Sequence, residues 1–135
     1  MMESDSRASS QFPRDISSGH DINMKSKGEQ KRSYCYCLDC ASAIITVLLN
    51  GNSGEAYNIS NSKSIVTIKE MAEAFAKAGN RKITFNLPTI HEKTNYNLMK
   101  NSSLLSEKIK RLGWKACFDM DTGAKHTLDI LNQSK

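Results

Sequence analysis

The sequence predicts an α/β fold, and its stretch from Lys31 to Ser60 indicates this most clearly. A run that favours β structure is followed by a helical segment that is apolar on nearly all sides. A second short β-type run comes next, which completes the order of a β-α-β unit. A well-marked amphipathic helix and a further strand candidate follow. The strands of such a unit must be buried by other elements, and this chain supplies only part of that cover.

The length and composition indicate a single domain. At 135 residues, of which 39% are hydrophobic, the chain can build one core. Lysine and arginine number 19 against 14 acidic residues, so the chain favours anionic partners, and a small phosphorylated ligand would satisfy this bias. The few aromatic residues do not interleave with the basic ones, so nucleic acid is not a predicted partner.

No segment predicts a membrane helix. The best candidate, residues 41–49, falls short of the roughly 18 apolar residues that a span requires, and it contains Ser42 and Thr46. The N-terminus is rich in serine and acidic residues, which is unlike a secretory signal. The sequence therefore predicts a cytoplasmic protein without membrane contact.

The N-terminal part predicts a disordered tail followed by a helix. Residues 1–6 carry no pattern, and we expect them to be frayed. Ala8, Phe12 and Ile16 recur four residues apart, which predicts a helix. Because Pro13 lacks a backbone N–H and crowds the preceding turn, this helix is expected either to start near Pro13 or to kink there.

The next residues predict a short separate strand, followed by the β-α-β unit of the stretch from Lys31 to Ser60. Residues 21–24 favour a short strand, and a turn at Gly28 leads into the central stretch. The helical segment 38–49 is apolar on more than one stripe, so we expect it to be buried between other elements. Asp39 near its start is expected to act as a cap or dipole partner. Residues 55–60 predict the second strand.

The C-terminal part contains the clearest helix start. Thr67 and Glu70 fit a capping box ahead of an amphipathic run, which predicts a helix over residues 67–78. Residues 82–87 alternate apolar and polar side chains and predict a strand. Two further helices are expected after a polar stretch, and Asp119 is placed to cap the last of them.

Three of the four cysteines are closely spaced, and their pattern has two interpretations. Cys35, Cys37 and Cys40 have the spacing of soft metal ligands, with the distant Cys117 or a histidine as a fourth. If residues 32–37 form a strand, however, Cys35 and Cys37 point to one face as small buried hydrophobes. We favour the second interpretation and assign no metal site. Disulfides are not expected in a compartment that keeps thiols reduced.

Arg32 is the candidate binding residue. An arginine that enters a strand can offer a bidentate fork to a phosphate or a carboxylate, and Lys27 and Lys31 add positive charge nearby. A solvated charge at the end of a strand is the alternative that the residues alone leave open.

The chain contains no convincing catalytic group. Tyr96 and Lys100 have the spacing at which a lysine can activate a tyrosine as an acid or base, but the polar stretch around them lacks the strand and serine that this chemistry needs. The segment 51–54 contains two glycines, but it follows a helix, which is the reverse of the order that cradles phosphate. The histidines are isolated along the chain: His20, His91 and His126.

Four short motifs appear in a specific order after the predicted strand and glycine turn. They are Gln30-x-Arg32-Ser-Tyr-x-Tyr-x-x-Asp39, Gly54-Glu-Ala-Tyr-Asn58-Ile, Thr67-Ile-x-Glu-Met and Lys108-x-x-x-Leu-Gly-Trp114. This order resembles the C-terminal half of extended short-chain dehydrogenases, the NAD-dependent nucleotide-sugar epimerases and dehydratases. Among them are UDP-glucuronate decarboxylases and dTDP-glucose dehydratases. The resemblance extends from about Arg7 to Leu131, with departures at Pro13, Cys37 and Leu105.

The resemblance implies a fold and a ligand. Residues 7–135 would form the C-terminal part of a Rossmann-type enzyme, with the last strands of an incomplete doubly wound sheet and the smaller substrate-binding subdomain. Arg32 would hold the diphosphate of a UDP- or dTDP-sugar, and Met24 with its strand would lie along the base. The strand around residues 57–58 would join the sheet. The family's Gly-rich dinucleotide loop and its Ser and Tyr-x-x-x-Lys set have no counterpart here, so the chain is expected to bind no NAD and to hold no catalytic residue.

Two hypotheses for function follow. In the first, the chain is a truncated nucleotide-sugar-binding portion of an enzyme that uses NAD when complete, and it is not catalytic alone. In the second, it is a non-enzymatic interaction module that pairs its open sheet with a partner, such as a separately encoded N-terminal half or a second copy.

Overall fold

The computed structural model describes residues 5–86 and 99–133, and these residues form an α/β fold. The helices are α1 (Ala8–Ser17), α2 (Cys37–Asn50), α3 (Ile68–Ala78), α4 (Glu107–Lys110) and α5 (Met120–Gln133). The strands are β1 (Ile22–Met24), β2 (Lys31–Ser33), β3 (Ile65–Thr67), β4 (Ile83–Phe85) and β5 (Asn101–Ser102). A single 3-10 turn, Ser62–Ser64, precedes β3.

The strands form two small sheets. β1 and β4 pair in parallel, with Ile22 opposite Ile83. β2 is the central strand of the other sheet, where it is antiparallel to β3 and parallel to β5. Arg32 lies opposite Val66 on one side and Ser102 on the other. Because these strands are only two or three residues long, the helices provide most of the core.

The main core lies where α1, α3 and α5 pack together beside β1. Ile16, Met71, Phe75 and Leu128 are all buried there, so the apolar faces that the sequence predicts for the three helices meet one another. Gly79 ends α3 against α1, and a Cβ atom at this position would overlap the Ile16 side chain. The glycine therefore allows the two helices to approach closely.

A smaller second core lies beneath α2. It consists of Ala43, Ile109 and Trp114, with Tyr57 and Val47 packed at its edge. The indole Nε1 of Trp114 donates a hydrogen bond to Ser42 Oγ at 3.0 Å, which satisfies the polar atom of this buried ring. The segment that follows α4 is thereby fixed to α2.

The helix caps predicted at Thr67 and Asp119 are confirmed. Thr67 Oγ1 accepts the N–H of Glu70 at 3.0 Å, and the Glu70 carboxylate accepts the N–H of Thr67 at 2.6 Å. At the start of α5, Asp119 Oδ1 accepts the N–H of Thr122 at 2.9 Å, and Thr122 Oγ1 accepts the N–H of Asp119 in return. Each cap satisfies amides that a helix start leaves without intrahelical partners.

The structure contradicts one of the two expectations for the first helix, which were a start near Pro13 or a kink there. α1 begins at Ala8, so a start near Pro13 is wrong. Pro13 removes one hydrogen bond inside the helix, but its ring is fully buried, and this burial offsets the loss. Ahead of α1, within the predicted tail, Asp5 accepts hydrogen bonds from Arg7 and Ser10. Residues 1–4 lie outside the described residues.

Of two expected strands, one is absent from the described part of the chain and the other is shorter than expected. Residues 55–60 form no strand, because no other described segment pairs with their backbone. The expected strand over residues 32–37 ends at Ser33, since the backbone turns there towards α2. β2 pairs instead with β3, a strand that follows the loop at residues 61–64 and was not expected.

The expected burial of α2 is wrong for the described chain. Only Asp39 and Ala43 of this helix are buried, while five large apolar side chains have half or more of their surface exposed. These residues are Leu38, Ile44, Ile45, Leu48 and Leu49. The described elements cover one side of α2, and its composition suits a helix that is covered on both. No described helix is long and apolar enough to cross a bilayer. The expected cytoplasmic location stays a prediction.

Candidate functional site

One cavity, of about 230 Å³, is lined by both residues that the sequence selects for ligand contact. It lies where the end of β1 and the start of β2 face the first turns of α1 and α3. Arg32 contributes from β2 and Met24 from the end of β1. Asn23, Lys25 and Gln30 also line it, so its walls combine one apolar surface with amides and positive charge.

Arg32 is held by its position on the central strand. It is half-buried, and β3 and β5 flank its backbone on either side. Its Nη1 donates to the carbonyl oxygen of Lys31 at 2.7 Å. Among residues 5–86 and 99–133 no carboxylate forms an ion pair with Arg32, so its other guanidinium donors suit an external anion.

Met24 lines the cavity, and a close turn at Gly28 holds it there. Its side chain is 3% exposed and belongs to the main core. The turn at Gly28 has a φ of +67°, and a Cβ atom there would overlap the Met24 methyl group and approach Lys69 N to 2.8 Å. The N–H of Lys69 also donates to the Gly28 carbonyl oxygen at 3.0 Å. Gly28 thus presses the turn onto α3 and fixes Met24 beside the cavity.

A second cavity, of about 300 Å³, is more apolar than the first. It lies between α3, α5 and the segment that joins β2 to α2. Tyr34, Met71, Phe75 and Met120 line it. Burial raises the pKa of the Tyr34 hydroxyl, so this group stays protonated at neutral pH.

An aromatic cluster of Tyr36, Phe118 and His126 lies beside the second cavity. The Tyr36 hydroxyl lies 2.7 Å from His126 Nδ1, and the rings of Tyr36 and Phe118 are 4.5 Å apart at their centroids. The sequence left His126 isolated because its partner is 90 residues away. The His126 ring packs against both aromatic rings, and this packing together with the hydrogen bond accounts for the histidine.

Asp39 has a contact that the sequence does not reveal. It lies in the first turn of α2, as expected, but its side chain does not cap that helix. Its two carboxylate oxygens accept the backbone N–H groups of Cys117 and Phe118 at 2.8 and 2.9 Å. Because Asp39 is only 2% exposed, these bonds hold the segment before α5 firmly against α2.

The cysteines do not share the face that a strand would give them. Cys35 is half-buried against the second core, whereas Cys37 is exposed at the first position of α2. The strand interpretation is therefore wrong, because the backbone becomes helical between the two residues. Cys40 lies in α2 as expected. Within the described residues, no group of three potential ligands is placed to hold a metal ion.

Of the other sequence candidates that the structure describes, Gly54 and His20 line neither of these cavities. Gly54 lies in a turn after α2 with a φ of +78°, which confirms that the segment 51–54 is a turn. His20 is exposed next to α1. Tyr96 and His91 lie outside the described residues, so the Tyr-x-x-x-Lys spacing stays a sequence observation.

Comparisons of the sequence point to one enzyme family. The sequence model of the NAD dependent epimerase/dehydratase family matches residues 1–60. A dTDP-D-glucose 4,6-dehydratase of Mus musculus is 31% identical over 105 residues, which is 76% of this chain and 29% of that protein. A trifunctional UDP-glucose 4,6-dehydratase, epimerase and reductase of Arabidopsis thaliana is 29% identical over 122 residues. The 122 aligned residues are 87% of this chain and 17% of that enzyme.

Solved structures share the fold at low sequence identity. A UDP-N-acetylglucosamine 4-epimerase from Bacillus cereus aligns with 94% of this chain and 43% of its own, with a TM-score of 0.77 and 17% identity. A UDP-glucose 4-epimerase from Thermotoga maritima, solved with UDP-glucose, gives a TM-score of 0.74 at 21% identity. This alignment covers 91% of the present chain and 38% of the Thermotoga maritima chain. The chain therefore spans less than half the length of these proteins and aligns with part of a Rossmann-type fold.

The strand-to-helix connections that lead into α2 and α3 do not fit a dinucleotide cofactor. Such a cofactor needs a Gly-rich turn between a strand and a helix, with free amides at the helix start. Between β2 and α2 the chain has Tyr34, Cys35 and Tyr36 in place of glycines. β3 runs directly into α3, where the Glu70 carboxylate already occupies the helix start and would repel a phosphate.

Proposed function

Because the chain belongs to the NAD-dependent epimerase/dehydratase family, we propose that it is the nucleotide-sugar-binding portion of such an enzyme. In this proposal residues 7–135 correspond to the C-terminal part of the complete enzyme, and the cofactor-binding part is a separate region. The ligand is a UDP- or dTDP-sugar. The chain binds and orients this ligand, and it is not catalytic alone.

The convergence of Arg32 and Met24 on one cavity supports this proposal. Arg32 presents a planar fork that matches two oxygens of a diphosphate, and Lys25 adds positive charge on the same wall. Met24 contributes an apolar contact for a base at the cavity wall, and the side-chain amides of Asn23 and Gln30 can hydrogen-bond to the polar edge of the base. One cavity thus holds the three kinds of contact that a nucleoside diphosphate requires.

The role of these residues is positioning. A sugar attached to the diphosphate would extend from the cavity towards the region that the complete enzyme uses for chemistry. Fixing the nucleotide therefore places the sugar without any proton or hydride transfer by this chain. No step through NAD is assigned to these residues, because the starts of α2 and α3 do not fit that cofactor.

Isothermal titration calorimetry with UDP-glucose and dTDP-glucose tests the proposal. We expect the folded chain to bind at least one of them, and Arg32→Ala to weaken binding about 10- to 100-fold through loss of a charge-assisted bidentate contact. Arg32→Lys should restore part of the affinity, since a lysine keeps the charge without the fork. Arg111→Ala is the matched control, because Arg111 is exposed at the end of α4 and does not line the cavity. No heat of binding with either sugar would refute retained ligand binding.

A second candidate function is supported by the exposed side of α2. Five large apolar side chains on one helix make an apolar surface that is unusual for a chain that acts alone. Residues 55–60, beside this helix, have backbone groups without a strand partner among the described residues. A cofactor-binding part of a family member, expressed as a separate chain, is the partner that this surface suits. Co-purification of the two chains would support the module, and its absence at micromolar concentrations would oppose it.

A further inference from the structure

All four cysteines of the chain lie around the first turn of α2. Cys37 and Cys40 are part of that turn, and Cys35 lies two residues before it on the connecting segment. Cys117 is 78 residues from Asp39 in sequence, but its backbone N–H lies 2.8 Å from that carboxylate. All four are free thiols. The nucleotide-sugar proposal uses none of them.

Cys37 and Cys40 have the geometry of a dithiol that can close. They form a Cys-x-x-Cys pair at the first and fourth positions of an α-helix, and the N–H of Cys40 donates to the Tyr36 carbonyl oxygen at 2.8 Å. Regular helical geometry separates the Cα atoms of such a pair by about 5 Å. Disulfides bridge Cα atoms that are about 4.4–6.8 Å apart. The helix start therefore needs little movement to accommodate a disulfide.

We propose that Cys37 and Cys40 form a redox-active dithiol that exchanges with low-molecular-weight disulfides of the glutathione type. Cys37 is exposed and is the attacking thiol. Cys40 is half-buried one helical turn further along and resolves the mixed disulfide that forms on Cys37. This site is independent of the nucleotide-sugar cavity and does not rest on the function proposed for it.

The exchange proceeds in two balanced steps. The Cys37 thiolate attacks one sulfur of oxidised glutathione, the S–S bond breaks, and one glutathione leaves as a thiolate that takes up a proton. The Cys40 thiolate then attacks the Cys37 sulfur of the mixed disulfide and displaces the second glutathione in the same way. Two protein thiols lose two electrons and two protons, and one glutathione disulfide becomes two thiols.

The surroundings favour this pair over the other cysteines. Burial, with smaller contributions from the neighbouring Cys40, Asp39 and Cys37, raises the pKa of the Cys35 thiol to about 11. Cys35 therefore stays protonated near neutral pH and is a poor attacking group. Cys117 is exposed, but it belongs to a different segment, and a bridge to it would have to form outside the helical turn. Only Cys37 and Cys40 combine access with helical spacing.

Equilibration of the full chain with mixtures of reduced and oxidised glutathione tests this proposal. After quenching with a thiol alkylating reagent, intact mass should show the loss of two hydrogen atoms and the protection of two of the four cysteines. Cys40→Ser should instead accumulate one glutathione on Cys37, because the resolving thiol is missing. Cys40→Ala gives the same test if serine disturbs the half-buried position. Cys35→Ser and Cys117→Ser are the matched controls and should still lose two hydrogen atoms.

Two results would overturn the proposal. One is a chain whose four thiols all remain alkylatable in excess oxidised glutathione. The other is a folded Cys37→Ser variant that still loses two hydrogen atoms, since a different pair would then be responsible. The circular dichroism spectrum of each variant shows whether it has folded.

Discussion

Asp39 shows at the scale of one residue how this chain joins distant segments. Its position at the start of an apolar helix is typical of a residue that interacts with its own helix dipole. In the structure its oxygens instead bind the amides of Cys117 and Phe118, which lie just before α5. Local sequence gave the position correctly, but the partners depend on the fold of the whole chain.

Replacing Asp39 should destabilise the fold. We expect Asp39→Ala to lower the free energy of unfolding by about 2–4 kcal/mol, because two backbone amides lose a charged acceptor in a mostly buried place. Asp39→Asn should lose less, since its side chain keeps one oxygen to accept one of the two bonds. Urea denaturation measures both values. Asp129→Ala, exposed on α5, is the control and should change stability little.

The charged Glu70 carboxylate stabilises the folded chain, and we expect this contribution to be lost in acid. The hydrogen bond from the Thr67 N–H holds the pKa of the Glu70 carboxyl below its ordinary value of 4.5. A carboxyl whose pKa is lowered by folding stabilises the protein above its unfolded pKa, and this stabilisation is lost as pH falls through the folded pKa. Glu70→Gln keeps an acceptor in the capping box but does not titrate.

The free energies of unfolding of the wild type and Glu70→Gln should therefore differ most at neutral pH and converge as the pH falls below 4.5 and through the lowered pKa of the folded state. Denaturation series at several pH values measure this difference. Glu73→Gln, on the same helix, leaves the capping box intact and serves as the control. A gap between wild type and Glu70→Gln that is the same at every pH would contradict a role for the charged carboxylate.

At the scale of whole elements, helix ends were predictable and strand pairs were not. The caps at Thr67 and Asp119 each depend on residues within one turn, so the sequence contains the whole signal. The pairing of β2 with β3 and β5 brings together segments that are tens of residues apart, and the strands are too short for a clear alternation. The sequence therefore missed β3 and placed a strand at residues 55–60.

The exposed side of α2 should drive association of the isolated chain. We expect Ile45→Lys combined with Leu49→Lys to reduce concentration-dependent association while changing the stability of the chain by less than about 1 kcal/mol, because both side chains are exposed. Sedimentation velocity over a range of concentrations measures association. Ala43→Lys, on the buried side of the same helix, is the contrasting variant and should unfold the protein.

Two outcomes would count against this account of α2. The double variant could associate as strongly as the wild type, which would place the interface elsewhere. It could also unfold, which would show that this side of the helix is already covered in the chain alone.

At the scale of the whole molecule, the sequence predicted the fold class and the family but not the details of packing. The family and the α/β fold follow from the order of several motifs, and the comparisons and the structure agree with both. Arg32 and Met24 were selected through the family resemblance, and the structure places both on one cavity. The aromatic cluster around His126 and the approach of Cys117 to Asp39 could not be predicted, because each depends on distant segments that meet only in the folded chain.

The two functional hypotheses make different demands on the molecule. A nucleotide-sugar-binding portion must keep the cavity at Arg32 in a folded state, whereas an interaction module needs only the surface of α2. Both can hold for one chain, because the cavity and that surface are formed by different elements. Ligand binding is the more demanding property and is therefore the central claim.

Proton–nitrogen correlation spectra of the isotopically labelled chain, titrated with UDP-glucose and with dTDP-glucose, test that claim most directly. The account predicts saturable shifts of the backbone amides around Met24, Gln30 and Arg32, with Leu48 on α2 unchanged. Spectra that do not change at millimolar sugar would contradict it. So would shifts centred on Met71 and Met120, which line the other cavity.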